Sequence, residues 1–118
     1  PQEKASILEC MEEMAALVRS NRKLMLNVYR SVKRDIFLFY MNEVATYIIT
    51  EYFDKNMNEF DLNKGEIQML IKYYKCLFIG ILIEWLDHGL EDDLGAEIRE
   101  MLQLLERHPE LNAVLNKS

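Results

Sequence analysis

The side chains that could carry out chemistry are few, and they do not form a recognisable catalytic or metal-binding set. The only two histidines, His88 and His108, fall where helices are predicted to end, and there an imidazolium meets the negative end of the helix dipole. Glu84 and His88 share one helix face, but a di-metal bundle needs two Glu-x-x-His motifs, and none is present. Gly-rich phosphate loops, Gly-x-Ser-x-Gly and Cys-x-x-Cys are also missing. We therefore predict no catalytic residue, no metal, no cofactor and no enzyme activity.

Cysteine usage and charge restrict the compartment and the partners. Cys10 and Cys76 lie within apolar helical patterns, which is typical of reduced, packed thiols and predicts a cytoplasmic protein. We expect no signal peptide, and the longest apolar run, from Cys76 to Ile83, is too short to cross a membrane. The net charge of −6 argues against direct DNA binding, because DNA phosphates are met by Lys and Arg.

Methionine and aromatic side chains are the remaining candidates for a function. The 7 Met, 5 Phe and 6 Tyr residues could line a deformable apolar pocket. Helical stripes of such residues more often form core, so core packing and a ligand pocket both stay open. Seven residues are expected to face inward between the first, third and fourth helices, and they are the predicted pocket residues: Met14, Phe37, Tyr40, Met41, Tyr47, Tyr74 and Phe78.

The elements that would position these residues are all helices. Two prolines, four glycines and no strand-like alternation predict a single all-α domain over residues 1–118. The predicted helices cover about 4–19, a short segment opened by Asn21, about 33–56, about 64–88 and a segment opened by Asp92 or Asp93, with a short last turn after Pro109. Asn63 with Glu66 predicts a capping box, and Gly89 fits the left-handed position after a helix. The result is a bundle of five to six helices.

The fourth helix is apolar on nearly every side. One stripe through Leu70, Phe78 and Trp85 has the spacing of an inward face. A small domain has too little core to bury a second face, and a glycine inside a helix costs about 1 kcal/mol relative to alanine. The second face therefore predicts a contact with another chain, most simply a second copy. The predicted dimer residues are Met69, Tyr73, Cys76, Gly80 and Ile83, joined by Met101 and Leu104 of the last helix.

Three segments of the chain carry a resemblance to a known family. They are Asn21-Arg22-Lys23-Leu24, the segment from Gly80 to Leu90 with its Gly…Trp…Gly-Leu pattern, and the last helix from Ala96 to Leu105. Together they resemble the C-terminal domain of TetR/AcrR-family transcriptional regulators over most of the chain. The resemblance implies an N-terminal helix-turn-helix domain, missing here, and a four-helix bundle made by the last two long helices of two subunits. It also implies a small-molecule ligand that shifts the spacing of the DNA-binding heads, which requires unequal binding to two conformations.

The expected function is that of an effector-binding and dimerisation domain of a bacterial TetR-like regulator. It would form a homodimer, sense a small apolar or aromatic ligand, and reach DNA only through the missing domain, with no membrane partner. The start at Pro1 without an initiator methionine suggests a fragment, although methionine removal before proline would look the same. The alternative is a helical interaction or co-activator module with a solid core and no ligand. The ligand, the operator and the choice between repression and activation stay open.

Overall fold

The computed structural model describes residues 6–56 and 61–111. Within these ranges the chain forms five helices and no strand: α1 (Ile7–Ser20), α2 (Arg22–Tyr29), α3 (Arg34–Lys55), α4 (Lys64–Asp87) and α5 (Leu94–Arg107). A further helical turn begins at Pro109. The predicted all-α fold and helix order are confirmed, and the first helix begins later than expected.

Side-chain caps determine where several helices begin and end. Asn63 accepts a hydrogen bond from the backbone N–H of Glu66 at 2.8 Å while the Glu66 carboxylate accepts one from the Asn63 N–H, so the predicted capping box opens α4. Asp93 caps α5 with one hydrogen bond, which its carboxylate accepts from the backbone N–H of Ala96. The prediction that Asn21 caps α2 is wrong, because its side chain makes no hydrogen bond to the first turn of that helix. Its amide instead donates to the Leu17 carbonyl at 2.9 Å and closes the end of α1.

Two consecutive left-handed residues turn the chain between α4 and α5. Gly89 has φ +74°, as predicted, and Leu90 has φ +58°, which is unusual for a residue with a side chain. The Leu90 side chain is buried, and its N–H donates to the Trp85 carbonyl at 2.9 Å. The Trp85 indole N–H donates to the Asp92 carbonyl at 2.8 Å. These contacts offset the strain at Leu90 and fix the direction in which α5 leaves α4.

The core lies where α4 packs against α3 and α1 packs against α5. Its centre is formed by large side chains with at most 2% of their surface exposed: Met11, Ile49, Phe78, Leu82, Trp85, Leu86, Leu94 and Ile98. Two of these, Phe78 and Trp85, belong to the predicted inward stripe of α4, and Leu82 lies between them on the same face. The inner face of that helix is therefore confirmed.

Candidate functional site

An apolar cavity lies where α1, α2, α3 and α4 meet. Its lining consists of nine residues: Met14, Leu17, Val18, Met25, Met41, Val44, Ala45, Ile48 and Phe78. Leu17 and Val44 are partly exposed and form the rim, while Ala45 and Phe78 are buried. Among the described residues the lining contains no polar side chain, so a molecule held there would be held by burial of apolar surface rather than by side-chain hydrogen bonds.

The cavity is narrow in this conformation. Its free volume is only about 20 Å³. Pockets that enclose small molecules usually measure roughly 300–1,000 Å³. A ligand of that size would have to move the flexible methionine side chains or displace one of the four helices.

Three of the seven predicted pocket residues lie together in this cavity. Met14, Met41 and Phe78 come from three different helices and share its lining. Phe37 and Tyr74 are half-buried and pack against the core, but they are not lining residues. Burial raises the pKa of Tyr74, with Tyr73 as a smaller cause.

The outer side of α3 contains the other two predicted pocket residues. Tyr40 and Tyr47 are 61% and 66% exposed, so the prediction that they face inward is wrong. The reason is the composition of α3, which also exposes Ile36 and Phe39. A helix with apolar side chains all round has no periodic signal that selects one inward face.

One wall of the cavity comes from α2, which the predicted pocket residues did not include. Met25 lines the cavity, and its neighbours Leu26 and Tyr29 are buried. The spacing of three and four residues between Tyr29 and these two side chains is the sequence signal for an inward face. The inward face of α2 could therefore have been predicted from the sequence. The helices that it packs against could not.

The outer face of α4, formed by Met69, Tyr73, Cys76, Gly80 and Ile83, is open to solvent in the single chain. Met69 is 66% exposed and Tyr73 is 52% exposed, Cys76 and Gly80 are exposed, and Ile83 is half-buried. Apart from the helix's own backbone, a Cβ added to Gly80 would meet no atom of the described residues within 4 Å. The described part of the chain thus offers no packing reason for a glycine at this position.

The last helix contributes the other two predicted dimer residues. Met101 and Leu104 are both exposed on α5. All seven predicted dimer residues are therefore accessible to a partner, at least in part, and the contact itself stays a prediction.

Polar contacts join α2 to the end of α4. The Tyr29 hydroxyl donates to Asp87 Oδ1 at 2.5 Å, and this hydrogen bond, followed by burial, raises the pKa of Tyr29. The Arg22 guanidinium donates to the Gly89 carbonyl at 2.9 Å. Arg34 lies over the Tyr29 ring, 4.1 Å from its centroid, and donates to the Tyr29 carbonyl at 2.7 Å. The short helix is thus attached at both of its ends.

Comparison with known families identifies the class of this domain. Residues 6–107 match the family model described as the C-terminal region of a transcriptional regulator of the TetR type. The chain belongs to this family. No curated protein and no solved structure matches it. The predicted resemblance is confirmed, and regulators of this family act as dimers that bind DNA and small ligands.

The histidines of this TetR-type region have structural partners. His88 Nδ1 lies 2.8 Å from the Glu84 carbonyl, and this hydrogen bond raises the His88 pKa. His108 Nδ1 lies 3.1 Å from a carboxylate oxygen of Glu110. Over residues 6–56 and 61–111, no group of three or more His, Cys, Asp or Glu side chains is arranged to hold a metal. Over the same ranges no helix is long and apolar enough to cross a bilayer.

Proposed function

We propose that this chain is the effector-binding and dimerisation domain of a cytoplasmic TetR-type regulator. It forms a homodimer, accepts a small apolar or aromatic molecule, and acts on DNA through a separate N-terminal domain. The observation that supports this most strongly is the outer face of α4, whose central glycine has no packing role among the described residues. Family membership supports the same proposal, since TetR-type regulators are dimers that bind small ligands.

The outer face of α4 has the composition of a helix–helix contact. Met69, Cys76 and Gly80 lie close to one line along the helix, because seven residues and eleven residues are close to two and three turns. Lys72 and Glu84 are exposed beside this line and can form a polar rim around an apolar centre. A second copy would present the same face, as a two-fold symmetric interface requires. The missing side chain of Gly80 would let the partner's backbone come close.

The molecular mass in solution tests the dimer. Light scattering behind size exclusion at micromolar concentration should give about 28 kDa, twice the 14.0 kDa chain. Gly80→Leu should move the mass towards that of the monomer, because a bulky side chain separates the two helices. Gly65→Leu is the matched control, since it places the same side chain at an exposed glycine in the first turn of α4. A monomeric parent chain, or equal behaviour of the two variants, would contradict the assigned interface.

The cavity supports an apolar ligand rather than a charged one. Its methionines can change rotamer to fit different shapes, and the partly exposed rim gives a route from solvent. Its small free volume favours the alternative function, an interaction module with a solid core. The two proposals differ in a single property, which is whether the cavity opens for a ligand.

Binding of N-phenyl-1-naphthylamine, a neutral fluorescent aromatic compound, separates these two functions. If the cavity opens, the compound should gain fluorescence and raise the melting temperature, since a ligand that binds only the folded state stabilises it. Val44→Trp should block binding because Val44 lies at the rim. Tyr47→Trp on the exposed side of the same helix is the matched control and should bind normally. If the parent chain does not bind, or Val44→Trp binds as well as it does, the solid-core module is the better description.

A further inference from the structure

We propose that the Tyr29–Asp87 hydrogen bond couples occupancy of the apolar cavity to the outer face of α4. The inference rests on the proposed function, and it specifies how the ligand site and the dimer contact influence each other. Three features carry it: the narrow cavity, the short wall formed by α2, and the position of Asp87 at the end of the outer face of α4.

A ligand can enter the cavity only if methionine side chains change rotamer or a wall moves, because the free space is far smaller than a small molecule. Three walls are long helices that share the buried core. The fourth wall, α2, has only eight residues and buries only Leu26 and Tyr29. Its one contribution to the lining is Met25. Of the four walls, α2 is therefore the one that is displaced with the smallest loss of buried contacts.

Movement of α2 would act on the end of α4, because both ends of α2 are hydrogen-bonded there. Arg22 in the first turn donates to the Gly89 carbonyl, and Tyr29 in the last turn donates to Asp87. Met25 lies between these two positions. A ligand that pushes Met25 outward would stretch both hydrogen bonds, and the shorter of them, at 2.5 Å, has the more specific geometry.

Asp87 continues the outer face of α4. It follows Cys76 by three helical turns and Met69 by five, so it lies on the same line of the helix, and its side chain is exposed. With the hydrogen bond made, the carboxylate is held towards Tyr29. With the bond broken, the negative charge is no longer held towards α2 and can turn to the end of the apolar row formed by Met69, Cys76 and Gly80, where a partner's apolar side chains would have to desolvate it. Ligand binding should therefore weaken the dimer, and dimerisation should weaken ligand binding by the same factor.

Removal of one hydroxyl group tests the coupling. In Tyr29→Phe, opening the cavity no longer breaks the hydrogen bond to Asp87, so N-phenyl-1-naphthylamine should bind about three- to tenfold more tightly. The phenyl ring keeps the packing and the contact with Arg34. Tyr40→Phe is the matched control, since it removes the hydroxyl of an exposed tyrosine on α3. Asp87→Ala should have the same effect as Tyr29→Phe, and the double variant should add nothing to either.

The dimer dissociation constant distinguishes the coupling from a general loosening of α2. Saturating N-phenyl-1-naphthylamine should raise the dimer dissociation constant about fivefold or more in the parent chain. In Tyr29→Phe the compound should leave that constant unchanged. Equal responses in the two proteins would overturn the coupling. Binding that Val44→Trp blocks but Tyr29→Phe does not alter would overturn it while leaving the proposed function intact. Absence of binding to both proteins would instead refute the ligand site, and the coupling with it.

Discussion

α3 and α4 are both long helices with apolar side chains on nearly every side, yet their exposed faces differ. The outer face of α4 contains a glycine at which an added Cβ would meet no atom of the described residues beyond the helix's own backbone. The exposed side of α3 contains two tyrosines, Tyr40 and Tyr47, whose hydroxyl groups can stay hydrated while the rings lie on the surface. Exposure of apolar residues alone does not identify a contact face. A position that is costly for the single chain and useful to a partner is the more specific signal.

The largest loss of folding stability is expected from replacing Trp85, on the inner face of α4. The side chain is 2% exposed, its indole N–H donates to the Asp92 carbonyl, and the Arg19 guanidinium lies 5.6 Å from the ring centroid. Trp85→Ala should lower the free energy of unfolding by about 3–5 kcal/mol. Urea denaturation followed by circular dichroism measures this loss, with Tyr47→Ala on the exposed side of α3 as the comparison. If both variants unfold at the same urea concentration, Trp85 is not a core residue.

The sequence predicted α4 well for a physical reason. The stripe through Phe78 and Trp85 has a regular period, and both ends of the helix carry local signals, the Asn63–Glu66 capping box and Gly89. Interactions between residues at most four positions apart set these features, so they can be recognised in the linear chain.

The sequence could not predict the inward face of α3 or the contacts across the fold. Apolar residues surround α3, so periodicity cannot choose a side, and Tyr40 and Tyr47 were placed wrongly. The cavity needs side chains from four helices, and the Tyr29–Asp87 hydrogen bond joins residues 58 positions apart. Such contacts depend on how the helices pack, which no local pattern specifies.

A loss of stability of a few kcal/mol at high pH is expected from Cys10. Its thiol is buried, whereas that of Cys76 on α4 is exposed. Burial, with a smaller contribution from Glu13, raises the pKa of Cys10 from 9.0 to about 11. The folded state therefore holds the proton more tightly than the unfolded state. This contribution to stability is complete below pH 9 and is lost as the pH rises towards 11, by up to about 2–3 kcal/mol.

Denaturation of the parent chain and of Cys10→Ala across this pH range separates the thiol from Tyr29 and Tyr74, whose raised pKa values act on stability in the same direction. The parent chain should lose more stability than the variant between pH 8 and pH 11. Parallel pH profiles would show that Cys10 ionises freely in the folded state, and that it is less buried than its position in α1 requires.

An effect of about 1 kcal/mol is expected at Gly80. If only the single chain mattered, Gly80→Ala would stabilise it by about this amount, because alanine favours the helix and the added Cβ meets nothing. Thermal unfolding at concentrations low enough to keep the chain monomeric should show this gain. Gly89→Ala is the contrasting glycine variant and should destabilise the chain, since φ is +74° there. A loss of stability in monomeric Gly80→Ala would mean that the glycine serves the chain's own fold.

The smallest changes in stability and dimerisation are expected from substitutions on the exposed side of α3. They test whether α4, and not α3, forms the dimer contact. The double variant Tyr40→Ser/Tyr47→Ser should change the free energy of unfolding by no more than about 0.5 kcal/mol and leave the dimer dissociation constant unchanged. Met69→Ser/Tyr73→Ser removes a similarly exposed pair from α4 and should raise that constant at least about tenfold, since it takes apolar area out of the contact. Sedimentation equilibrium measures both variants under the same conditions. The opposite pattern, a weakened dimer only in the α3 variant, would place the second copy on α3, and Gly80 would then need a different explanation.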